Sequence, residues 1–396
     1  MKDAQKKIIV HIVYDWQLTD RASGQFEAVA PGMNKFVILG KDRPLRSIKK
    51  TSVEFYSIRR IVRLLKSREC AAIIFHSLPP TLWHLLWWIP KEKKVIWIGL
   101  GHDYYEMFLS SLCPNGLLME KTKKMLQTMR RDARSSAPIS KSRIFGSLRN
   151  IARKCHGQHT LTRVDIFSPV LDIEYELIRQ HNPWLKAKYI PWNYGKIEEV
   201  ISSHVQKEPI SESGHDILVG NSASPFNNHL EIFDLLNEHV DLSGRRIFTP
   251  LGYGGNERYV QQVVAEGQRL FGEKFHPLMS LMDIDEYRKL LLHQCGYAFM
   301  NHLRQQAADN VNIMLYKGAS VYLNTQSPLY TWLTNRGFSI RSMEEISKHR
   351  KNGKYSLQPL RHDQQSLNIE MMKKHWNADA NRLRTKHLVD AALASR

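Results

Sequence analysis

Arg304, Gln305 and Gln306 stand together, followed by Asp309 and Asn310, between an apolar run that ends at Met300 and a stretch whose apolar residues recur at helical spacing. The pattern predicts a strand over 296–300 and a helix over about 308–317, so these polar residues fall on the turn between them. Open α/β sheets bind anionic ligands at such turns, where backbone N–H groups of a helix N-terminus point outward. A guanidinium and two amides added to that turn suit the binding of a diphosphate, which an arginine neutralises through paired hydrogen bonds.

Two further strand ends in the second half carry related chemistry. In the run from Val219 to His229, Gly220, Asn221, Ser222 and Asn228 follow a strand and lead into a helix, and small residues there leave room for phosphate oxygens against backbone N–H groups. In the run from Pro250 to Glu257, Gly252 and Gly254 flank Tyr253, whose ring could stack on a base or a sugar. A helix cap and a plain glycine turn explain each nearly as well when taken singly. Three such ends in succession point to one phosphate-bearing ligand. The first half offers Phe75-His76 at one strand end and the run from Gly99 to Glu106 at the next. Activating an acceptor hydroxyl needs a carboxylate or imidazole within hydrogen-bond reach, which makes Asp103 and His76 the candidate catalytic groups. His102, Tyr104 and Glu106 beside them are candidates for holding the acceptor.

The elements that must position these residues alternate along the chain. Runs at 8–13, 35–39, 53–56, 71–76, 95–98, 164–167 and 188–191 are short and rich in β-branched or aromatic residues, as buried parallel strands require. The stretch 58–67 repeats apolar residues every three or four positions with Arg and Lys opposite, the pattern of a crossover helix. A polar stretch with Pro209 and Gly214 predicts a linker over 201–214, after which the alternation restarts with helices near 226–238, 257–270 and 283–293 and strands at 216–220 and 245–249. Two α/β domains are expected, 1–200 and 215–340, with a cleft between them and a polar, helical tail over 341–396 that could pack back on the first domain. A length of 396 residues with 42% apolar content fits two such cores.

Charge is the outstanding feature of the composition. Lys and Arg number 57 against 38 Asp and Glu, a formal +19, which favours phosphorylated substrates, anionic lipid or nucleic acid. Eleven of the basic residues crowd between Leu117 and Cys155, where they predict either an exposed helical pair or a membrane-facing region of the first domain. The aromatic run from Leu82 to Pro90 reads as a buried helix, or as a patch at a membrane interface; at nine residues it is too short to span a bilayer. Cys70, Cys113, Cys155 and Cys295 lie far apart without CxxC spacing, so neither a zinc site nor a disulfide framework is indicated. The N-terminus runs straight into a strand-like segment, with no apolar leader pattern, and a cytoplasmic location is expected.

P-loop, GxGxxG, HExxH and GxSxG patterns are all missing, which removes the ATPase, dehydrogenase, zinc-protease and α/β-hydrolase readings. The ordered set Phe75-His76, Pro80 to Trp83, Gly101 to Glu106, Val219 to Ser222, Leu251 to Tyr253, Arg304 to Gln306 and Tyr322 to Asn324 resembles the TDP-N-acetylfucosamine:lipid II N-acetylfucosaminyltransferase family over 70–110 and 215–330. That resemblance implies a GT-B glycosyltransferase of class α/β: two Rossmann-like domains facing a central cleft, the nucleotide-sugar donor on the second and the acceptor on the first. It also implies a peripheral enzyme on the inner face of the cell membrane. Such an enzyme passes an amino-dideoxyhexose, without a metal or other cofactor, to a lipid-diphosphate-linked saccharide. Where the best-known members carry glycines after Arg-Gln-Gln, this chain has Ala307 to Asn310, and backbone approach to donor phosphates is less free there. The other classes weighed are a non-catalytic scaffold of a polysaccharide-assembly complex and a nucleic-acid binder. The latter needs cations interleaved with exposed aromatics along one groove, whereas here the basic residues cluster away from the aromatic strand ends.

Overall fold

A computed structural model describes residues 7–109, 116–135, 157–200, 214–348 and 353–394. The chain divides into two compact units. Among the described residues the first takes 7–109, 157–199 and 376–394, and the second takes 116–135 and most of 214–375.

The first unit is built on seven parallel strands: β1 (Ile8–Val13), β2 (Asn34–Leu39), β3 (Val53–Tyr56), β4 (Cys70–His76), β5 (Lys94–Ile98), β6 (Ile166–Ser168) and β7 (Lys188–Tyr189). Their order is β3-β2-β1-β4-β5-β6-β7, so the direction of winding reverses between β1 and β4. β4 reads Cys-Ala-Ala-Ile-Ile-Phe-His with six of its seven residues buried, because a central parallel strand has helices on both faces. One of those helices is Ala378–Leu393, which follows the second unit in sequence yet packs on β4, β5 and the helix Gln17–Glu27. Leu388, Val389 and Ala392 join Ile9, Phe26, Ile74 and Ile96 in one core, and Trp192 donates to the Thr385 hydroxyl at 3.1 Å.

Six strands form the sheet of the second unit: β8 (Asp216–Val219), β9 (Ile247–Pro250), β10 (Phe275–Leu278), β11 (Cys295–Met300), β12 (Ser320–Leu323) and β13 (Arg341–Ser342). The order β10-β9-β8-β11-β12-β13 reverses between β8 and β11. At β8 and β11 every residue is buried. Phe233, Tyr259, Phe299 and Tyr322 fill the core, where Phe299 and Tyr322 stack at 4.6 Å.

The basic stretch assigned from sequence to the first domain belongs, as far as residue 135, to the second unit; the rest of it lies outside the described residues. Helix Glu120–Ser135 lays Met125, Leu126 and Met129 on the second core. Lys121 Nζ reaches Asp234 at 2.5 Å and Glu266 at 3.0 Å, and Thr122 N donates to Glu231 at 2.8 Å. Its apolar face is therefore spent on protein, and it cannot be offered to a bilayer. The aromatic run also divides: Trp83, Leu85, Leu86 and Ile89 are buried, while Trp87 and Trp88 are exposed, the latter 4.8 Å under the Lys66 ammonium. Apart from Gly214, the expected linker lies outside the described residues. Among the described residues no helix is long and apolar enough to cross a membrane.

Candidate active site

In the second unit the reversal between β8 and β11 brings two turns side by side, 220–224 and 301–307. This is where a doubly wound sheet opens a crevice at its strand C-termini. Arg304 stands on the second turn with its guanidinium 4.4 Å over the Phe226 ring. Its Nε and Nη2 both donate to Gln306 Oε1, at 3.0 and 2.8 Å, and Gln306 Nε2 donates to Asn221 Oδ1 at 2.9 Å. Asn221 in turn reaches the Tyr253 hydroxyl at 3.4 Å, and the Tyr253 ring is half exposed at the end of β9. Four candidates from three separate strand ends thus form one hydrogen-bonded rim. The rim carries a half-buried cation, amide groups and an open aromatic face.

The turn beneath is held by a residue the sequence reading passed over. Asn227, fully buried, accepts at Oδ1 from Asn221 N (2.9 Å) and pairs there with His302 Nε2 (2.8 Å), while its Nδ2 donates to Ser222 O and Ser224 O, both at 2.9 Å. Gly220 has φ 67, and a Cβ there would stand 2.6 Å from Asn227 Oδ1, so the turn admits only glycine. Gly252 lies equally close to the backbone of Ser280, and Gly254 has φ 83. Ala307 takes φ 61, a left-handed conformation that costs an alanine about 1 kcal/mol and a glycine little.

Several candidates are engaged elsewhere. Asn228 is buried, with Oδ1 accepting from Met119 N at 2.8 Å and Nδ2 donating to Asn301 O at 2.9 Å, so it latches the segment before helix Glu120–Ser135 instead of facing a ligand. Asn310 donates to the Tyr287 hydroxyl at 2.8 Å, and Gln305 is buried.

In the first unit most of the expected site residues are buried. Asp103 is buried and accepts from Leu100 N at 2.9 Å, Leu78 N at 2.9 Å and Trp97 Nε1 at 2.7 Å. Its oxygens bind the turns after β4 and β5 together and have no path to an acceptor hydroxyl. His76 is buried with both ring nitrogens engaged, Nε2 with His11 Nδ1 at 3.0 Å and Nδ1 with the Tyr194 hydroxyl at 2.8 Å. Tyr104 is fully buried, stacked on Tyr105 at 5.1 Å, and cannot hold an acceptor. Glu106 is exposed in the first turn of the short helix Tyr105–Phe108.

His102 is exposed at the same strand end. Its Nε2 meets Ser77 Oγ at 3.0 Å and its ring stands edge-on to Trp16 at 5.7 Å. Ser77 is buried with φ 81, a conformation sparsely populated by residues other than glycine; its N–H is fixed on Ile98 O at 2.9 Å. Strain of this kind costs about 1–3 kcal/mol and persists where surroundings over-determine it, commonly at functional sites.

The buried pair His11–His76 belongs to a one-directional chain. Asn34 Nδ2 donates to Ala30 O (2.7 Å) and Glu27 (3.0 Å), which leaves its Oδ1 to accept from His11 Nε2 at 3.2 Å; His11 Nδ1 then accepts from His76, and His76 Nδ1 from Tyr194. Both imidazoles must be neutral for this chain to close. Burial pushes His11 down to about 3 and His76 well below 6.5; burial likewise takes His229 to about 3 and lowers His302. A histidine with a depressed pKa contributes stability that is present above the unfolded value near 6.5 and is lost as pH falls towards the folded one. Glu174, raised by burial to about 7, acts in the opposite sense over the same window, one carboxyl against four imidazoles. The melting temperature is expected to be level from pH 8 to 7 and to fall steadily below 6.5, each imidazole costing on the order of 1 kcal/mol per pH unit. A melting temperature unchanged at pH 5 would contradict the neutral chain.

Glycosyl transferase group 56, described as 4-alpha-L-fucosyltransferase, matches residues 122–376, well over half of the chain. The chain belongs to this family. It is a glycosyltransferase, and the resemblance to fucosamine transferases holds at the family level. Solved structures agree on the fold. HepE of Anabaena, in complex with UDP-glucose, superposes with a TM-score of 0.60 at 10% identity, covering 96% of this chain and 99% of its own. The α,α-trehalose 6-phosphate synthase of Burkholderia multivorans gives 0.57 at 10%, with 98% of each chain covered. WaaG, a glycosyltransferase of lipopolysaccharide biosynthesis, gives 0.53 at 9%, covering 97% and 99%. These are GT-B proteins, and the two doubly wound units of this group 56 chain have the GT-B fold. Among its described residues no group of three or more His, Cys, Asp or Glu side chains could hold a metal ion.

Proposed function

We propose that this glycosyltransferase passes an N-acetylfucosamine-like amino-dideoxyhexose from a TDP-linked donor to a lipid-diphosphate-linked saccharide, at the inner face of the cell membrane, in surface-polysaccharide synthesis. The observation that carries the donor half is the Arg304 rim: a guanidinium braced by Gln306 and laid over Phe226, at the strand reversal of the second unit. In this reading Arg304 offsets the charge that develops on the leaving diphosphate, Asn221, Ser222 and the Gly252 turn cradle its oxygens, and Tyr253 stacks on the base. HepE, whose structures hold UDP and UDP-glucose, supports a nucleoside-diphosphate donor by analogy of fold. His102 receives the proton of the acceptor hydroxyl, because it is exposed at the strand ends where Asp103 and His76 are buried.

Calorimetry with TDP-, UDP- and GDP-linked sugars tests the donor. A TDP-linked 4-acetamido-4,6-dideoxyhexose is expected to bind at least tenfold more tightly than the UDP- and GDP-linked hexoses. Binding to none of them would remove the donor assignment.

A further inference from the structure

The connection from β2 to β3 in the first unit runs over residues 40–52 without a helix, and five of its residues are exposed cations: Lys41, Arg43, Arg46, Lys49 and Lys50. One acid, Asp42, lies among them. None of the five makes an ion pair or side-chain hydrogen bond among the described residues, whereas Lys35, Arg60, Lys121 and Arg246 elsewhere all do. Like charges on a free loop would spread apart, and this loop is not free. Asp15, at the end of β1, accepts from the backbone N–H groups of Arg46, Ser47 and Ile48 at 2.8, 2.9 and 3.1 Å. Asp20, one turn further on, accepts from those of Lys49, Lys50 and Thr51 at 2.7, 3.1 and 2.8 Å. Burial would raise the Asp15 carboxyl, but these N–H groups and the Arg43 charge hold it below the usual carboxylate range. Six backbone donors are thereby consumed inward, and the cationic side chains are exposed on a loop whose backbone is held.

Place adds to charge. The loop leaves the C-terminal end of β2, and the Asp15 that anchors it precedes Trp16, whose ring meets His102. The loop cations, Trp16, His102 and Ser77 therefore share one edge of one sheet, the edge at which such sheets bind ligands. We propose that this loop is the seat of the acceptor's lipid-borne diphosphate, with Arg43, Arg46, Lys49 and Lys50 as its ligands. The inference rests on the proposed function, since it supplies the acceptor half of that reaction. It moves the anion-recognising role away from helix Glu120–Ser135, whose Lys121 is already paired.

The fourfold variant Arg43→Gln, Arg46→Gln, Lys49→Gln, Lys50→Gln removes the charges and keeps every backbone N–H that Asp15 and Asp20 hold. The full chain is titrated with phosphatidylcholine vesicles carrying a polyprenyl diphosphate, and separately with vesicles carrying phosphatidylglycerol at the same surface charge. Wild-type protein is expected to prefer the diphosphate vesicles by tenfold or more. Each removed cation should weaken that binding roughly fivefold before salt screening, and all four on the order of a hundredfold. Nucleotide-sugar binding by calorimetry should stay at the wild-type value. Equal binding to the two vesicle types, or a folded variant that keeps wild-type affinity for the diphosphate, overturns the proposal; the single variant Arg46→Gln, expected to lose about fivefold, decides the matter should the fourfold one not fold. Loss of nucleotide-sugar binding in the wild type is a separate failure, that of the donor reading, and leaves the vesicle comparison independent of it.

Discussion

Replacement of Arg304 by alanine is expected to lower turnover about a hundredfold, the usual consequence of removing one preorganised electrostatic stabiliser, with little change in melting temperature. The expectation follows from how the guanidinium is held. Two of its nitrogens lie on one amide oxygen of Gln306 and its plane lies over Phe226, so the group is oriented before any ligand arrives and loses little entropy on binding. It is only half buried, so the fold does not depend on it. Arg304→Lys keeps the charge but neither the fork nor the stacked plane, and should recover less than about a tenth of the lost rate. A folded Arg304→Ala protein with the wild-type rate would refute the donor site.

Asp103→Ala should act in the opposite way, on stability first. Its carboxylate is the acceptor for two backbone N–H groups and the Trp97 indole, the Leu78 and Trp97 donors buried and the Leu100 one partly so, and each orphaned buried donor costs about 1–3 kcal/mol. A loss of roughly 3 kcal/mol or more is expected in denaturant unfolding, with Asp103→Asn in between. His102→Asn, altering an exposed ring, should melt close to the wild type while transfer falls about a hundredfold. Were Asp103→Asn to prove fully stable but inactive, and His102→Asn active, the roles given to these two neighbours would have to be exchanged.

The difference between the two sites shows what the sequence could disclose. Central strands were legible because a parallel strand buried on both faces must be apolar throughout, as β4 and β11 are. β10 was not, because Pro277 argues against a strand, and it is tolerated only because β10 is the edge of its sheet. The Arg304 turn could be read since a charged residue between a strand and a helix leaves few alternatives. Asp103 and His76 could not be judged, because what decides their roles is whether their lone pairs are already taken. Those partners, Leu78 and Trp97 for one and His11 and Tyr194 for the other, are set by the tertiary fold. The same holds for Asn228, claimed by Met119 from over a hundred residues away, and for helix Glu120–Ser135, whose composition announces charge but not the unit its Met125 and Leu126 join.

Neither unit is a continuous length of chain, and the helix Ala378–Leu393 gives that fact weight. The interior around β1 to β5 stays unroofed until Leu388, Val389 and Ala392 have been made, although its opening strand begins at Ile8. In chain order, then, the first of the two sheets to be made is the last to be sealed, because all the strands of the other sheet precede the helix that covers it. Loss of the helix Ala378–Leu393 would therefore uncover the core around β1 to β5.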